Sequence, residues 1–278
     1  MSLPLKTSVM NWQVMPKIRR AFVDAEYGQM HYRTAGEPSD KRPLICLHQS
    51  PKSSREFIEF MTVAATDRLI IAIDSPGHGE SDVPQQKMSI EDFASQIWSA
   101  LDLLIIGKAD LLGHHTGAKV AAEMAWQNPD KVSNIVMVSA LVLTPEERDE
   151  FKTMFKPIPL DEDGTRFQEM WFKSIQYRGP GVTLEQLAAS MAENLRAGEA
   201  YEWGHEAAFN YTDNFAERIA KLSHRITVLN PKDMLFELTP RVGKLLKNGE
   251  VIDHPEWGFG FMDSDTENAV KAVKAALD

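Results

Sequence analysis

Gly113-His114-His115-Thr116-Gly117 is the stretch of this sequence best suited to chemistry. It follows the apolar run Ala109-Asp110-Leu111-Leu112 and precedes residues 118–127, which are rich in good helix formers. That order predicts a strand, a tight turn and a helix, with a glycine at each end of the turn to relieve crowding. The central residue of such a turn is held in a strained conformation, its side chain presented to a pocket. Here it is His115, an imidazole able to accept and return a proton near neutral pH.

Three other places follow strand-like runs, where open parallel sheets bind their ligands. His48-Gln49-Ser50-Pro51 closes the run Leu44-Ile45-Cys46-Leu47. Asn230-Pro231-Lys232-Asp233 follows Ile226-Thr227-Val228-Leu229. Trp257-Gly258-Phe259-Gly260-Phe261-Met262-Asp263 comes after the short run at 250–252.

The elements that must position these turns read as an alternation. A hairpin around Gly28 is expected at 22–33. Strands are expected at 44–48, 69–73, 109–112, 132–138, 226–229 and 250–252, and helices at 53–63, 89–105, 118–127, 240–247 and 266–276. Ser89 caps its helix, and Glu91 and Asp92 complement the helix dipole. Continuous apolar strands bounded by Gly and Pro suit a parallel sheet covered on both faces. The alternation pauses from Thr144 to about Ser223, where only helical patterns appear. The reading is an α/β core at 18–143 and 224–278 with a helical cap inserted at 144–223. Residues 1–17 show no clear periodicity and are left unassigned.

The 278 residues are 43% hydrophobic and 25% charged, ordinary for a globular chain long enough to wall a pocket. A net charge of −10 disfavours nucleic acid and anionic membranes as partners. The single cysteine, Cys46, excludes an intramolecular disulfide and reads as a buried small hydrophobe. No signal peptide or membrane span is apparent, so a cytoplasmic protein is the default expectation. The expected partner is a small-molecule substrate, and a homodimer is left open.

The chain resembles the α/β-hydrolase superfamily, in the branch with haloalkane dehalogenases, epoxide hydrolases, esterases and C–C hydrolases. Gly113-x-His115-x-Gly117 stands where that family has Gly-x-Ser-x-Gly, the nucleophile elbow. Tyr27-Gly28 with His31-Tyr32 matches the opening hairpin of the branch. Asp74-Ser75-Pro76-Gly77-His78-Gly79-Glu80-Ser81 matches its Asp-x-Pro-Gly-x-Gly-x-Ser segment. His48-Gln49-Ser50-Pro51 resembles the His-Gly-x-Pro loop, with Gln49 in place of glycine.

The resemblance implies an α/β-hydrolase fold and carries roles onto matching positions. Backbone N–H groups of Gln49 or Ser50, with that of Thr116, would stabilise an oxyanion. Asp233 falls where the family has its acid. Phe259 falls where it has its catalytic histidine, and a phenyl ring has no proton to move. His254 lies five residues earlier and reads mainly as a surface histidine. His48 orders its loop, and His78 and His114 match structural or variable positions. The implied pocket includes His48, His114, Trp257 and Phe259. The cap supplies Met154, Phe155, Phe167, Met170, Trp171, Phe172, Met191, Trp203, Phe209 and Tyr211, which at helical spacing read more as cap core than as pocket lining, with His205 a weaker candidate for the pocket.

Three readings follow from an elbow without serine, cysteine or aspartate. In the first, His115, polarised by Asp233, is the base of a hydrolase acting on a small apolar or aromatic carbonyl compound. In the second, the same base serves lyase, decarboxylase, cyclase or cofactor-free oxygenase chemistry. In the third, the protein is a catalytically silent binder of a small molecule. No metal site is expected, because His114 and His115, adjacent on a sharp turn, should point different ways. No phosphate loop is present, and nothing calls for a nucleotide, a flavin or another cofactor.

Overall fold

The computed structural model describes residues 17–278; the segment left unassigned above lies, but for Lys17, outside them. In chain order the elements are β1 (Arg19–Ala25), β2 (Gly28–Ala35), β3 (Leu44–Leu47), α1 (Ile58–Ala64), β4 (Ile70–Ile73), α2 (Ile90–Leu103), β5 (Ala109–His114), α3 (Thr116–Gln127) and β6 (Val132–Val138). Then come α4 (Pro145–Met154), α5 (Thr165–Gln176), α6 (Leu184–Arg196), α7 (Trp203–Asn210) and α8 (Thr212–Ile219). The chain closes with β7 (Arg225–Pro231), α9 (Pro240–Gly243), β8 (Gly249–His254), α10 (Phe261–Ser264) and α11 (Thr266–Leu277).

One eight-stranded sheet runs β1-β2-β4-β3-β5-β6-β7-β8. The β1–β2 and β2–β4 pairs are antiparallel, and every pair from β4 to β8 is parallel. The central strands β3 and β4 are buried along their whole length, which is why they read as unbroken apolar runs. Cys46 lies fully buried within β3.

Two apolar layers cover the sheet. One packs α2, α3 and α8 against β3, β5 and β6 through Phe93, Ile97, Val120, Met124 and Phe215. The other packs α1, the turn before it and α11 through Phe57, Phe60, Val270 and Val273. Tyr211, Phe215 and Ile219, from the helical segment between β6 and β7, belong to the first layer. The C-terminal end of that segment is thus part of the core packing.

Expected helices differ in two places. The segment at 53–63 opens with a turn of 3₁₀ helix over Ser54–Phe57 before α1, its N-cap being Ser53. The expected helix at 240–247 contracts to α9, four residues long. The α2 cap is as read: Ser89 and Asp92 form a reciprocal capping box.

Candidate functional site

The turn between β5 and α3 places His115 at φ 47°, ψ −107°, a conformation that non-glycine residues rarely adopt. Its N–H donates to Val138 O at 2.9 Å, and its carbonyl accepts from Ala118 N at 3.0 Å. Both flanking glycines are required by close approach. A Cβ on Gly113 would sit 2.2 Å from Gly117 O, and one on Gly117 would sit 2.0 Å from Leu47 O. The sharp turn is therefore built by backbone packing against β3, and the imidazole is what it presents.

Asp233, in the turn after β7, meets that imidazole. His115 Nε2 lies 2.8 Å from Asp233 Oδ2. Ser139 Oγ donates to the same oxygen at 2.6 Å, and Leu235 N donates to Oδ1 at 2.7 Å. Burial opposes ionisation of Asp233, but the His115 charge and hydrogen bond, with the Ser139 and Leu235 donors, outweigh it and hold its pKa below the ordinary value. Burial is the largest influence on His115 and lowers its pKa, offset in part by Asp233. The pair is an ionised carboxylate accepting from a neutral imidazole, so Nε2 carries the ring proton and Nδ1 the lone pair. Among the described residues Nδ1 has no hydrogen-bond partner, and it is not among the solvent-sealed polar atoms that lack one.

A cavity of about 660 Å³ lies over this pair, lined by His115 and Asp233, by Gln49 and Ser50, and by Trp257 and Phe259. Met154, Phe155, Met170 and Tyr201, from the helical segment between β6 and β7, line it as well. His205 is also in the wall, paired with Glu202. Lys52 borders the cavity with its amine buried, which pushes its pKa down to about 8. The exposed wall is mostly apolar by area, and Lys52, Lys173, Arg178 and Lys232 add positive charge to it.

The loop after β3 departs from the sequence reading. The Gln49 N–H donates to Glu56 Oε2 at 3.1 Å, and its side-chain amide donates to Glu56 Oε1 at 3.0 Å. That main-chain donor is spent and is withdrawn from the oxyanion set. The N–H groups of Ser50 and Thr116 meet no backbone acceptor among the described residues. His48 orders the loop from behind: Nδ1 bonds Gln49 O at 2.7 Å and Nε2 accepts from Ser75 N at 2.9 Å. His48 and His114 do not line the cavity.

His114 and His115 do not diverge as expected. Strand alternation sends neighbouring side chains to opposite faces, but the left-handed backbone at His115 breaks it. Their rings meet edge to face, with centroids 4.6 Å apart. Donor atoms of His114, His115 and Asp233 all lie within 4.8 Å of one another. His114 Nδ1 is bonded to Glu56. Burial of Glu56 opposes its ionisation, but the charge and hydrogen bond of His114 and the Gln49 N–H overcome it, taking its pKa down to about 2.

His254 bonds Glu256 at 2.8 Å and stacks on Trp257, so it does not replace the missing histidine. Trp257 Nε1 donates to Asp265 at 2.9 Å, and Lys232 N donates to Trp257 O at 2.7 Å, tying this loop to the Asp233 turn. Sequence reasoning missed Glu56 and Ser139. Ser139 directly follows β6, a strand-end position that marks such residues. Nothing in the order of residues marks Glu56.

A family model described as alpha/beta hydrolase fold matches residues 42–200. Proline iminopeptidase of Heyndrickxia coagulans is 26% identical over 57% of this chain and 59% of its own length. That of Lactobacillus acidophilus is 29% identical over 48% of each. The matches thus span roughly half the length of these relatives. An esterase from Exiguobacterium antarcticum superimposes with a TM-score of 0.77 at 17% identity, covering 92% of this chain and 98% of that one. The enol-lactonase from Burkholderia xenovorans LB400 does so at 0.74 and 12%, covering 92% and 99%. These structures share the fold.

Proposed function

The chain belongs to the α/β-hydrolase fold family, and from that premise we propose that it is a hydrolase in which His115, backed by Asp233, is a general base acting on a small, mostly apolar carbonyl compound. The observation that carries this reading is the 2.8 Å hydrogen bond from His115 Nε2 to Asp233, with Nδ1 left open beneath the cavity. Asp233 fixes the tautomer, so the lone pair that accepts a proton is on Nδ1. A water held there loses its proton to Nδ1 as its oxygen attacks the carbonyl carbon. The N–H groups of Ser50 and Thr116 are the free donors for the oxyanion that forms. The proton then passes from the imidazolium to the leaving group. No covalent enzyme intermediate is required, so the absence of serine at the elbow and of histidine at Phe259 is consistent with turnover.

Names such as esterase and enol-lactonase among the structural neighbours describe cleavage at an acyl carbon, and small esters and lactones are accordingly the first compounds to assay. His115→Ala should abolish turnover of any compound found and Asp233→Asn should lower it sharply, and unchanged turnover in both would remove the reading. Hydrolysis in heavy-oxygen water should label the product. A turned-over product without the label would place the same base in non-hydrolytic chemistry instead.

A further inference from the structure

We propose that His114, His115 and Asp233 form a binding site for a divalent first-row transition cation of the zinc type, with an open coordination position facing the cavity. Two imidazoles and one carboxylate are a donor set that such ions take readily, and three protein ligands with one open position is the pattern of reactive rather than structural zinc sites. The donor atoms lie within 4.8 Å of one another. Tetrahedral zinc with bonds of about 2.0–2.1 Å places its ligands roughly 3.3 Å apart. Closing onto an ion therefore draws the three donors in from within 4.8 Å to about 3.3 Å of one another.

The outer shell is already in place. A ligating histidine commonly donates its other N–H to a carboxylate, which fixes the tautomer and raises the basicity of the ligating nitrogen. His114 has this arrangement: Glu56 holds Nδ1, and Glu56 is itself held by both Gln49 donors. That leaves His114 Nε2 as the ligating atom; among the described residues it has no hydrogen-bond partner and is not sealed from solvent. Asp233 is oriented by Ser139 and Leu235. Without an ion, a proton sits between His115 Nε2 and Asp233 Oδ2; on binding, the ion takes its place and the ring proton moves to Nδ1. His115 and Asp233 both line the cavity, which supplies the entry path and room at the open position.

This inference goes beyond the base reading and has a separate readout. With Nδ1 protonated, His115 has no lone pair for substrate, so the loaded protein loses base-driven turnover. The test is isothermal titration of the chelator-treated full chain with zinc chloride. One ion should bind per chain. His114→Ala, His114→Gln and Asp233→Asn should each weaken binding by about tenfold or more, and Glu56→Gln by about 10–100-fold as a loss of outer-shell support. Circular dichroism selects the variants that fold. No saturable binding at one ion per chain, or equal affinity in a folded His114 variant, would overturn the proposal. Either result leaves the base reading standing, since turnover of the metal-free protein is measured independently.

Discussion

The main-chain N–H of Gln49 lies 3.1 Å from Glu56 Oε2, and the other oxygen of that carboxylate reaches the ring of His114. One buried acid thus joins the loop after β3 to the residue beside the elbow. Glu56→Gln removes the charge and puts an N–H₂ where an acceptor stood. We expect a loss of roughly 1–3 kcal/mol, the range for breaking a buried hydrogen-bonded group. Urea unfolding measures it, and an unchanged midpoint would show that the carboxylate holds nothing.

The base reading has a definite pH signature. His115 is active when neutral, and burial puts its pKa below the ordinary 6.5. Turnover should therefore rise with pH along a limb centred below that value and then level off. Asp233→Asn removes the charge that partly offsets burial, so the limb should move to still lower pH. The plateau should fall by roughly 10²–10⁴-fold, the usual contribution of general acid–base catalysis. A limb that stays in place in the variant would contradict the pairing.

Gly204 on α7 touches the loop that carries Ser50. A Cβ there would sit 1.9 Å from Ser50 Oγ and 2.9 Å from its Cβ. Gly204→Ala should destabilise by about 1–3 kcal/mol through overpacking and should lower turnover by displacing the Ser50 N–H. Adding Ser50→Gly should restore melting temperature in a double-mutant cycle. Additive losses would mean that the two residues do not press on each other.

Lys119 on α3 is buried, donating to Ala208 O at 2.7 Å and Thr212 Oγ1 at 3.1 Å. Burial lowers its pKa to about 7 from 10.5. Between those values the unfolded chain binds a proton that the folded chain does not, so stability rises with pH. Below about pH 7 both states are charged and the gain is absent. Lys119→Met should flatten the slope of unfolding free energy from neutral to alkaline pH.

Asp74 gives a slope of the same sign at the acid end of the scale, because there too the unfolded chain holds the proton that the folded chain lacks. Burial raises its pKa, but His31 at 2.8 Å, the nearby His48, and the N–H groups of Glu80 and Ser54 bring it down to about 2. Its stabilisation is present above the ordinary 3.8 and is lost as pH falls through about 2. The difference amounts to roughly 2 kcal/mol. Asp74→Asn should be less stable at neutral pH and should show a shallower loss of stability on acidification.

The fold was legible in residue order because its signals are local. Gly113 and Gly117 flank a turn that only glycine can pack, Ser89 and Asp92 sit at capping spacing, and β3 and β4 are apolar throughout because both faces are covered. Asp233 and His115 could each be placed at a strand end from sequence, 118 positions apart. Tertiary structure decided what sequence spacing cannot encode, the approach of side chains across the sheet ends. It set Ser139 against Asp233, gave the Gln49 N–H to Glu56, and turned His114 toward His115. That last convergence depends on one left-handed backbone conformation at His115, a value imposed by packing between β3, β5 and β6.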